Sequence, residues 1–296
     1  MLLRFFTLDV FTDIRFAGNP LAVVLDAEAL DTATMQAIAR EFNYPETVFV
    51  HAASDPAYRA RVRIFTPARE LPFAGHPTVG TAVLLGHIDG GADAREIVLE
   101  EGIGPVRCTI EPFDGGRGRA RFALPQLPAE TGTAPDNAVI AAALGLSPGD
   151  IGYADMRAAI WSAGLPLTFV PVASLAAVRN CRPDPARMSA TLGDGPVYLF
   201  CAETAEAGHD FHARMFAPGL GVPEDPATGA AAAAFMGLLA RHGGLRDGDH
   251  AFKIEQGYEM GRPSLIRLAL VMRDGKLVSA SVGGNAIIVT EGQMSL

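Results

Sequence analysis

Two stretches of the chain, RIFTPARELPFAGHPTVG at residues 63–80 and RMFAPGLGVPEDPATG at residues 214–229, carry the same pattern. Each begins with Arg-x-Phe-x-Pro and ends with a polar residue followed by Pro-x-x-Gly. We match His76, ahead of one Pro-x-x-Gly, with Asp225, ahead of the other. An internal repeat of this kind predicts an architecture in which one structural unit occurs twice.

Further pieces recur in the same order in both halves of the chain. AGNPL at residues 17–21 matches AGLPL at residues 163–167, and each precedes an apolar stretch. Glu-Gly at residues 101–102 matches Gln-Gly at residues 256–257, and each follows its Pro-x-x-Gly segment. Each copy is too long for a solenoid repeat and about right for a domain with its own core.

The composition indicates a soluble globular protein. The 296 residues are 49% hydrophobic with a net charge of −9, which permits two cores and offers no basic surface for nucleic acid. The three cysteines are far apart, which is typical of reduced thiols in a cytoplasmic protein. The longest apolar run, residues 229–240, is too short to span a bilayer, so we expect no membrane association.

Strand-like and helix-like patterns follow one another along the chain and predict an α+β fold. Asp31 or Thr32 can cap a helix that ends near Phe42. The segment at residues 229–240 is apolar on all sides, which favours a buried helix enclosed by a sheet. We therefore predict two domains, each a curved, mostly antiparallel sheet wrapped around a central helix.

The domain boundaries follow from composition. The segment PQLPAETGTAPD, residues 125–136, is non-periodic and rich in Pro and Thr, which predicts a linker. The predicted domains are therefore residues 1–124 and 137–284. The C-terminal segment, residues 285–296, is β-prone and could pack on the first domain.

The Pro-x-x-Gly segments are candidate ligand sites. Proline is favoured in the first turn of a helix, and the N–H groups of a helix start attract anions. With His76 and Asp225 just ahead, two such helix starts could hold one small carboxylate. The alternative is that both side chains merely cap their helices.

Glu46 breaks the duplication. It lies between a predicted helix and a predicted strand, and the matching stretch at residues 195–200 has no carboxylate. A single acidic residue of this kind could act as a general base in a cleft between unlike halves. Judged alone, a Glu ahead of a strand is more often a solvated surface residue. His209 and His212, three apart on a strand, point to opposite faces, so we predict no metal site.

Several motifs resemble those of the PhzF-like isomerases of phenazine biosynthesis, which have the diaminopimelate epimerase fold. The matching pieces span nearly the entire chain in the expected order: Asp9-Val10-Phe11, Gly18-Asn19-Pro20, Glu46-Thr47, Phe73-Ala74-Gly75-His76-Pro77-Thr78, Glu224-Asp225-Pro226-Ala227-Thr228-Gly229, Gln256-Gly257, Gly261-Arg262 and Val282-Gly283-Gly284.

The resemblance implies two pseudo-symmetric domains with the active site in the cleft between them, no metal or organic cofactor, and a homodimer. It assigns proton transfer between carbons to Glu46, with His76 and Asp225 as further catalytic residues that hold the polar groups of the substrate and assist the proton transfer. Gly75 would contribute backbone contacts at the mouth of the pocket, and Gly229 and Ala230 would also contact the substrate.

One position departs from the family pattern. Many relatives have Ser after Pro-Ala-Thr-Gly, whereas this chain has Ala230, which removes a hydroxyl and favours a substrate other than the phenazine precursor. The epimerases and racemases of the wider fold use two cysteines near the helix starts. Here the cysteines are Cys108, Cys181 and Cys201, so two-thiol racemisation is not expected.

The leading hypothesis is a cofactor-independent isomerase acting on a small cyclic or unsaturated carboxylate. Two alternatives stay open: an epimerase or racemase that pairs Glu46 with a residue other than cysteine, and a non-catalytic binding or interaction protein on the same fold.

Overall fold

The computed structural model describes residues 1–91, 93–113 and 115–296, which form two compact units. The first comprises Met1–Ala123 together with Gly283–Leu296, and the second comprises Leu124–Val282. Among the described residues, no helix has both the length and the apolar character needed to cross a membrane.

The chain contains seventeen strands and six α-helices among its described residues, in an order that mixes the two types throughout. Their bounds are β1 Leu2–Val10, β2 Asn19–Val24, α1 Thr32–Phe42, β3 Glu46–His51, β4 Ala60–Phe65, β5 Glu70–Leu71, α2 Gly75–Asp89, β6 Arg95–Glu101, β7 Gly104–Phe113, β8 Arg117–Ala123, β9 Ala129–Thr133, α3 Asn137–Leu144, β10 Ala159–Ser162, β11 Pro166–Pro171, α4 Leu175–Asn180, α5 Pro185–Leu192, β12 Val197–Cys201, β13 Phe211–Ala217, β14 Val222–Asp225, α6 Gly229–His242, β15 Gly248–Gln256, β16 Ser264–Arg273 and β17 Lys276–Ser295.

The two units repeat the same series of strand pairings. In the first, β1–β2 is antiparallel, β2–β3 parallel, β3–β4 and β4–β5 antiparallel, β4–β6 parallel and β6–β7 antiparallel. In the second, β10–β11, β11–β12, β12–β13, β13–β14, β13–β15 and β15–β16 follow that series step by step. The fold is α+β, as predicted, and antiparallel pairs predominate in each unit.

Helices α2 and α6 are the central helices of their units. Helix α2 contacts β1, β2, β3, β6, β7 and β8, and α6 contacts β9, β10, β11 and β16. The first twelve residues of α2 are all buried. Small side chains allow this approach: a Cβ at Gly237 of α6 would lie 2.6 Å from the ring of Trp161.

The other face of each sheet is covered as well. In the first unit, Met35 and Ile38 of α1 pack on Phe49 and Phe65. In the second unit, the short helices α3, α4 and α5 cover β11 and β12, and buried residues such as Val178 join that cluster. Each unit therefore has one core on either side of its sheet.

The structure corrects the register of the internal repeat. Helix α2 begins at Gly75 and α6 begins at Gly229, so the equivalent Pro-x-x-Gly segments are residues 72–75 and 226–229. The first copy contains two Pro-x-x-Gly segments, PFAG and PTVG, and matching the second of these, residues 77–80, with 226–229 is wrong. In the corrected register His76 corresponds to Ala230.

Two further features fit the corrected register. A Cβ added at Gly102 would lie 2.8 Å from the Pro72 backbone, and a Cβ added at Gly257 would lie 2.6 Å from the Pro226 carbonyl oxygen. Either contact leaves no room for a side chain. Each glycine directly follows the strand after the central helix, so strand end and helix start pack together in both units.

The repeated Arg-x-Phe pieces also have a structural explanation. Arg63 forms a two-pronged ion pair with Glu70, with N···O distances of 2.7 and 2.6 Å. Arg214 forms the same pair with Glu224, at 2.8 and 2.9 Å. Each glutamate lies two residues ahead of the Pro-x-x-Gly proline, so the pair fixes the approach to the helix.

The predicted linker contains a strand. Residues 125–136 include β9, which pairs antiparallel with β10 in the second unit. Pairing with a neighbouring strand stabilises β9, although its sequence has no strand-like periodicity. At the C-terminus, β17 extends through the predicted boundary at residue 284, and Ala286–Ser295 pairs with β1 of the first unit.

Candidate active site

Glu46 and His76 face each other in the first unit. Glu46 opens β3, and His76 is the second residue of α2. His76 Nε2 lies 3.2 Å from Glu46 Oε2, and the two side chains are 6% and 16% exposed. The two atoms are close enough to exchange a proton but are not aligned as a standard hydrogen bond. Two of the predicted site residues are thus brought together.

The imidazole of His76 is neutral. Burial lowers the pKa of His76 to about 3, and a hydrogen bond to the Pro20 backbone opposes this only partly. Proline has no N–H, so the imidazole donates to the Pro20 carbonyl. Because Nε2 faces Glu46, we assign this bond to Nδ1–H, which leaves a lone pair on Nε2.

This tautomer has a consequence for Glu46. An ionised carboxylate oxygen and a bare imidazole nitrogen both present lone pairs, so their approach favours a proton on one of them. Since burial lowers the pKa of His76, the imidazole is the poorer proton acceptor of the two, and Glu46 is the group of the pair that can accept a proton. The pair can therefore take up a proton and release it at a fixed position.

The loop ahead of β2 holds Pro20 in place. Asp9 Oδ2 accepts a hydrogen bond from the Phe16 N–H at 2.6 Å. Gly18 has φ of +65° and a Cβ there would lie 2.4 Å from the Val10 carbonyl oxygen, so only glycine fits. These contacts explain why Asp9 and Gly18 belong to the motifs that carry the resemblance.

Asp225 lies in the second unit, at the end of β14, and it is buried. Its Oδ2 accepts a hydrogen bond from the Thr228 hydroxyl at 2.5 Å. The amide of the fully buried Gln256 donates to the Asp225 carbonyl at 2.7 Å and to Thr228 Oγ1 at 2.9 Å. Gln256 Oε1 accepts from the Thr228 N–H at 3.2 Å. The Asp225–Thr228 turn is thereby fixed.

The alternative that His76 and Asp225 merely cap their helices is wrong. The N-cap residues are Ala74 and Thr228, and in neither does the side chain accept a bond from its own helix. His76 lies inside the first turn of α2 rather than ahead of it. Asp225 precedes its N-cap by three residues.

The three glycine and alanine positions lie at the helix starts. Gly75 and Gly229 are the first residues of α2 and α6, and both are buried. Ala230 is the second residue of α6 and is partly exposed. The structure therefore places Gly75 beside His76 in the first unit, and Gly229 and Ala230 close in sequence to Asp225 in the second.

The cysteines are not at the helix starts. Cys108 lies on β7, Cys181 follows α4 and Cys201 ends β12, and all three are buried free thiols. Burial raises the pKa of Cys181 and Cys201 to about 12 and that of Cys108 still further. None of them is suited to act as an acid or base at neutral pH.

A buried ionic network lies next to Gln256, and the sequence interpretation missed it. His209 Nδ1 and His212 Nδ1 each lie 2.7 Å from the Glu255 carboxylate. His209 precedes β13, so the expectation that both histidines occupy one strand is wrong. His212 Nε2 also contacts Glu259 at 3.1 Å, which ties the turn after Gly257 to β13. Among the described residues, no three His, Cys, Asp or Glu side chains form a cluster that could hold a metal ion.

The chain is similar to several known proteins along nearly its whole length. The model of the PhzC-PhzF family, phenazine biosynthesis-like protein, matches residues 8–292. An uncharacterized isomerase of Mesorhizobium japonicum is 50% identical, with 97% of this chain and 96% of that protein covered. The trans-2,3-dihydro-3-hydroxyanthranilate isomerase of Pseudomonas aeruginosa is 37% identical, with 99% of both covered. A Bacillus anthracis phenazine biosynthesis protein of the PhzF family superposes with a TM-score of 0.90 at 25% identity, covering both chains completely.

These likenesses support an enzyme of the isomerase class. The chain belongs to the PhzC-PhzF family of phenazine biosynthesis-like proteins. Its relatives are named isomerases, and the likeness covers nearly their whole length. This argues against the alternative of a non-catalytic binding protein.

Proposed function

We propose that this protein is a cofactor-independent isomerase that moves a proton between two carbons of a small cyclic or unsaturated carboxylate. The observation that supports this most strongly is the contact of 3.2 Å between Glu46 and the neutral imidazole of His76. Such a pair needs no added group to accept and return a proton, and general acid–base catalysis of this kind contributes about 10²–10⁴-fold to a rate.

In the proposed reaction Glu46 takes the proton from an activated carbon. The lone pair on His76 Nε2 then favours the carboxylic acid form of Glu46, so the proton is retained until a second carbon receives it. His76 cannot turn away, because its other nitrogen is bound to the Pro20 carbonyl. The proton is therefore delivered from a fixed position.

We further propose that the two units are pseudo-symmetric domains with the active site in the cleft between them. The matched series of strand pairings supports the duplication. Asp225 and the helix starts at Gly75, Gly229 and Ala230 would then hold the carboxylate and the polar groups of the substrate. The N–H groups of helix starts suit this role.

The substrate is proposed to be related to, but distinct from, trans-2,3-dihydro-3-hydroxyanthranilate. The relative from P. aeruginosa is named for that compound. Ala230 offers no hydroxyl at the second position of α6, where the resemblance leads us to expect Ser, so one ligand donor is missing. A small unsaturated or cyclic amino acid with fewer polar groups fits this difference.

The test is proton exchange followed by NMR in D₂O. The protein is incubated with trans-2,3-dihydro-3-hydroxyanthranilate and with a panel of small unsaturated and cyclic carboxylates. We expect double-bond migration in at least one compound, with deuterium at the carbon that receives the proton. Inversion at a single carbon, without migration of a double bond, would instead identify an epimerase. No exchange with any compound in the panel would contradict the proposal.

The predicted homodimer and the cytoplasmic location remain proposals. Analytical ultracentrifugation would test the former through a sedimenting mass of twice the 31.1 kDa chain.

A further inference from the structure

Glu101 is a buried carboxyl group that the proposed reaction does not use. It is the last residue of β6 and is 6% exposed. Its Oε1 contacts the Thr78 hydroxyl of α2 at 2.8 Å. Its Oε2 is buried and has no hydrogen-bond partner among the described residues. Burying a carboxylate costs free energy when one of its oxygens accepts no hydrogen bond, so the protonated, neutral form is favoured.

The two hydrogen bonds of the Thr78 hydroxyl indicate the protonation state of Glu101. Thr78 Oγ1 lies 2.8 Å from the Ala74 carbonyl and 2.8 Å from Glu101 Oε1. The hydroxyl has one proton, and a carbonyl can only accept. If that proton goes to Ala74, the bond to Glu101 requires a proton from the carboxyl group. Both bonds can exist together only when Glu101 is a carboxylic acid.

The equivalent position of the second unit supports this reading. Gln256 ends β15 as Glu101 ends β6, and each is followed by the glycine that packs on a proline backbone. Gln256 is neutral, and it both donates to and accepts from the start of α6. A carboxylic acid is the nearest equivalent of an amide, because it too has one donor and one acceptor end.

The charged groups around Glu101 do not favour ionisation. From β7, the buried Cys108 thiol faces it, and from α2 the neutral Thr78 does. Arg61 and Arg63 of β4 and Glu70 of β5 line a pocket with Glu101, but Arg63 is already engaged by Glu70. Burial raises the pKa of Glu101 to about 8, and the hydrogen bond that Thr78 could donate to the ionised form lowers it only partly.

We propose that Glu101, as a carboxylic acid, is a positioning residue that holds the first turn of α2 through Thr78 and so keeps His76 opposite Glu46. The inference rests on the proposed function for its effect on catalysis. When Glu101 ionises, the Thr78 hydroxyl must donate to it, so the hydroxyl bond to the Ala74 carbonyl is lost and only the Thr78 N–H, at 3.2 Å, still donates to that carbonyl. The turn that begins with Gly75 and His76 then loses one of its ties.

Glu101→Gln is the decisive variant, because it fixes the neutral form that Gln256 already has. Glu96→Gln is the matched control, since Glu96 is an exposed residue of the same strand. The first readout needs no substrate: the NMR signal of the His76 ring, assigned with a His76→Gln variant, is followed from about pH 6.5 to about pH 9.5. We expect a transition near pH 8 in the wild type and in Glu96→Gln, and none in Glu101→Gln.

The second readout is the pH profile of kcat/KM. We expect a fall of about tenfold above pH 8 in the wild type and in Glu96→Gln, and no such fall in Glu101→Gln. The proposal is overturned if the wild-type His76 signal is constant over this range, or if the transition or the alkaline fall persists in Glu101→Gln. If no variant turns over any substrate, the proposed function fails, and the His76 transition alone decides the role of Glu101.

Discussion

The starts of α2 and α6 occupy equivalent places in the two units but present different groups. At the second helix position α2 has His76 and α6 has Ala230. Ahead of the proline, the second unit has Asp225 where the first has Leu71. The parts that hold the helix start are retained in both, whereas the groups able to meet a substrate differ.

This difference indicates which of the two helix starts is suited to proton transfer. The first unit contains the contact between Glu46 and His76 to which we assign proton transfer, because its helix start carries an imidazole next to β3. The second unit contains an acidic turn fixed by Gln256. The repeated features, namely the Arg–Glu pair and the glycine on a proline backbone, serve the scaffold.

The largest effect on activity is expected from His76→Ala. It makes the start of α2 resemble that of α6 and removes the partner of Glu46. We expect kcat to fall by about 10²–10⁴-fold. The control is His87→Ala, an exposed position in the last turn of the same helix, which should retain activity. A loss below tenfold in His76→Ala would contradict the assigned role.

The retained Arg–Glu pairs are predicted to differ in stability. Arg214 is 8% exposed and also donates to the Val178 and Cys181 carbonyls, so Arg214→Ala should cost about 3–5 kcal/mol. Arg63 is more exposed, and Arg63→Ala should cost about 1 kcal/mol or less. Urea denaturation measures both. Equal losses of unfolding free energy in the two variants would show that burial does not make the Arg214–Glu224 pair more stabilising than the Arg63–Glu70 pair.

The smallest effect is expected from Ala230→Ser. The added hydroxyl at the second position of α6 restores a donor without disturbing the core, because Ala230 is partly exposed. One hydrogen bond is worth about 0.5–1.5 kcal/mol, so kcat/KM for trans-2,3-dihydro-3-hydroxyanthranilate should rise by up to about tenfold. Ala230→Gly is the control for volume. An unchanged or lower value in Ala230→Ser would remove this position from substrate selection.

Much of the fold was predictable because strong local patterns agree with the tertiary structure. The predicted helix ending near Phe42 is α1, and Asp31 caps it by accepting from the Thr34 N–H at 2.8 Å. The all-apolar segment that begins at residue 229 is the buried helix α6. In these cases capping and composition each identify the element without reference to the rest of the chain.

Other features depended on contacts that no local pattern contains. The register of the repeat is ambiguous in the sequence because two Pro-x-x-Gly segments occur in residues 72–80, and the helix start at Gly75 and the packing against Gly102 select the first. The strand β9 is stabilised by β10 despite its polar composition. Helices α3, α4 and α5 have six to eight residues each, too few for a clear helical period.

The candidate site was predictable in its residues but not in its geometry. Glu46 and His76 were identified from the broken duplication and from the resemblance. Their contact of 3.2 Å depends on the tertiary structure. The neutral state of His76 follows from its burial, and its tautomer follows from the hydrogen bond to the Pro20 carbonyl. In the sequence, Glu101 shows only as part of a repeated piece, because its chemistry arises from the buried Thr78 hydroxyl.

The central claim is that Glu46 carries the transferred proton. The most direct test compares Glu46→Gln with Glu41→Gln, an exposed glutamate of α1, by turnover and by deuterium uptake in D₂O on the substrate that the screen identifies. We predict that Glu46→Gln lowers kcat by at least about 10²-fold and abolishes deuterium uptake, while Glu41→Gln matches the wild type. Turnover in Glu46→Gln within about tenfold of the wild type, with deuterium still incorporated, would contradict the claim.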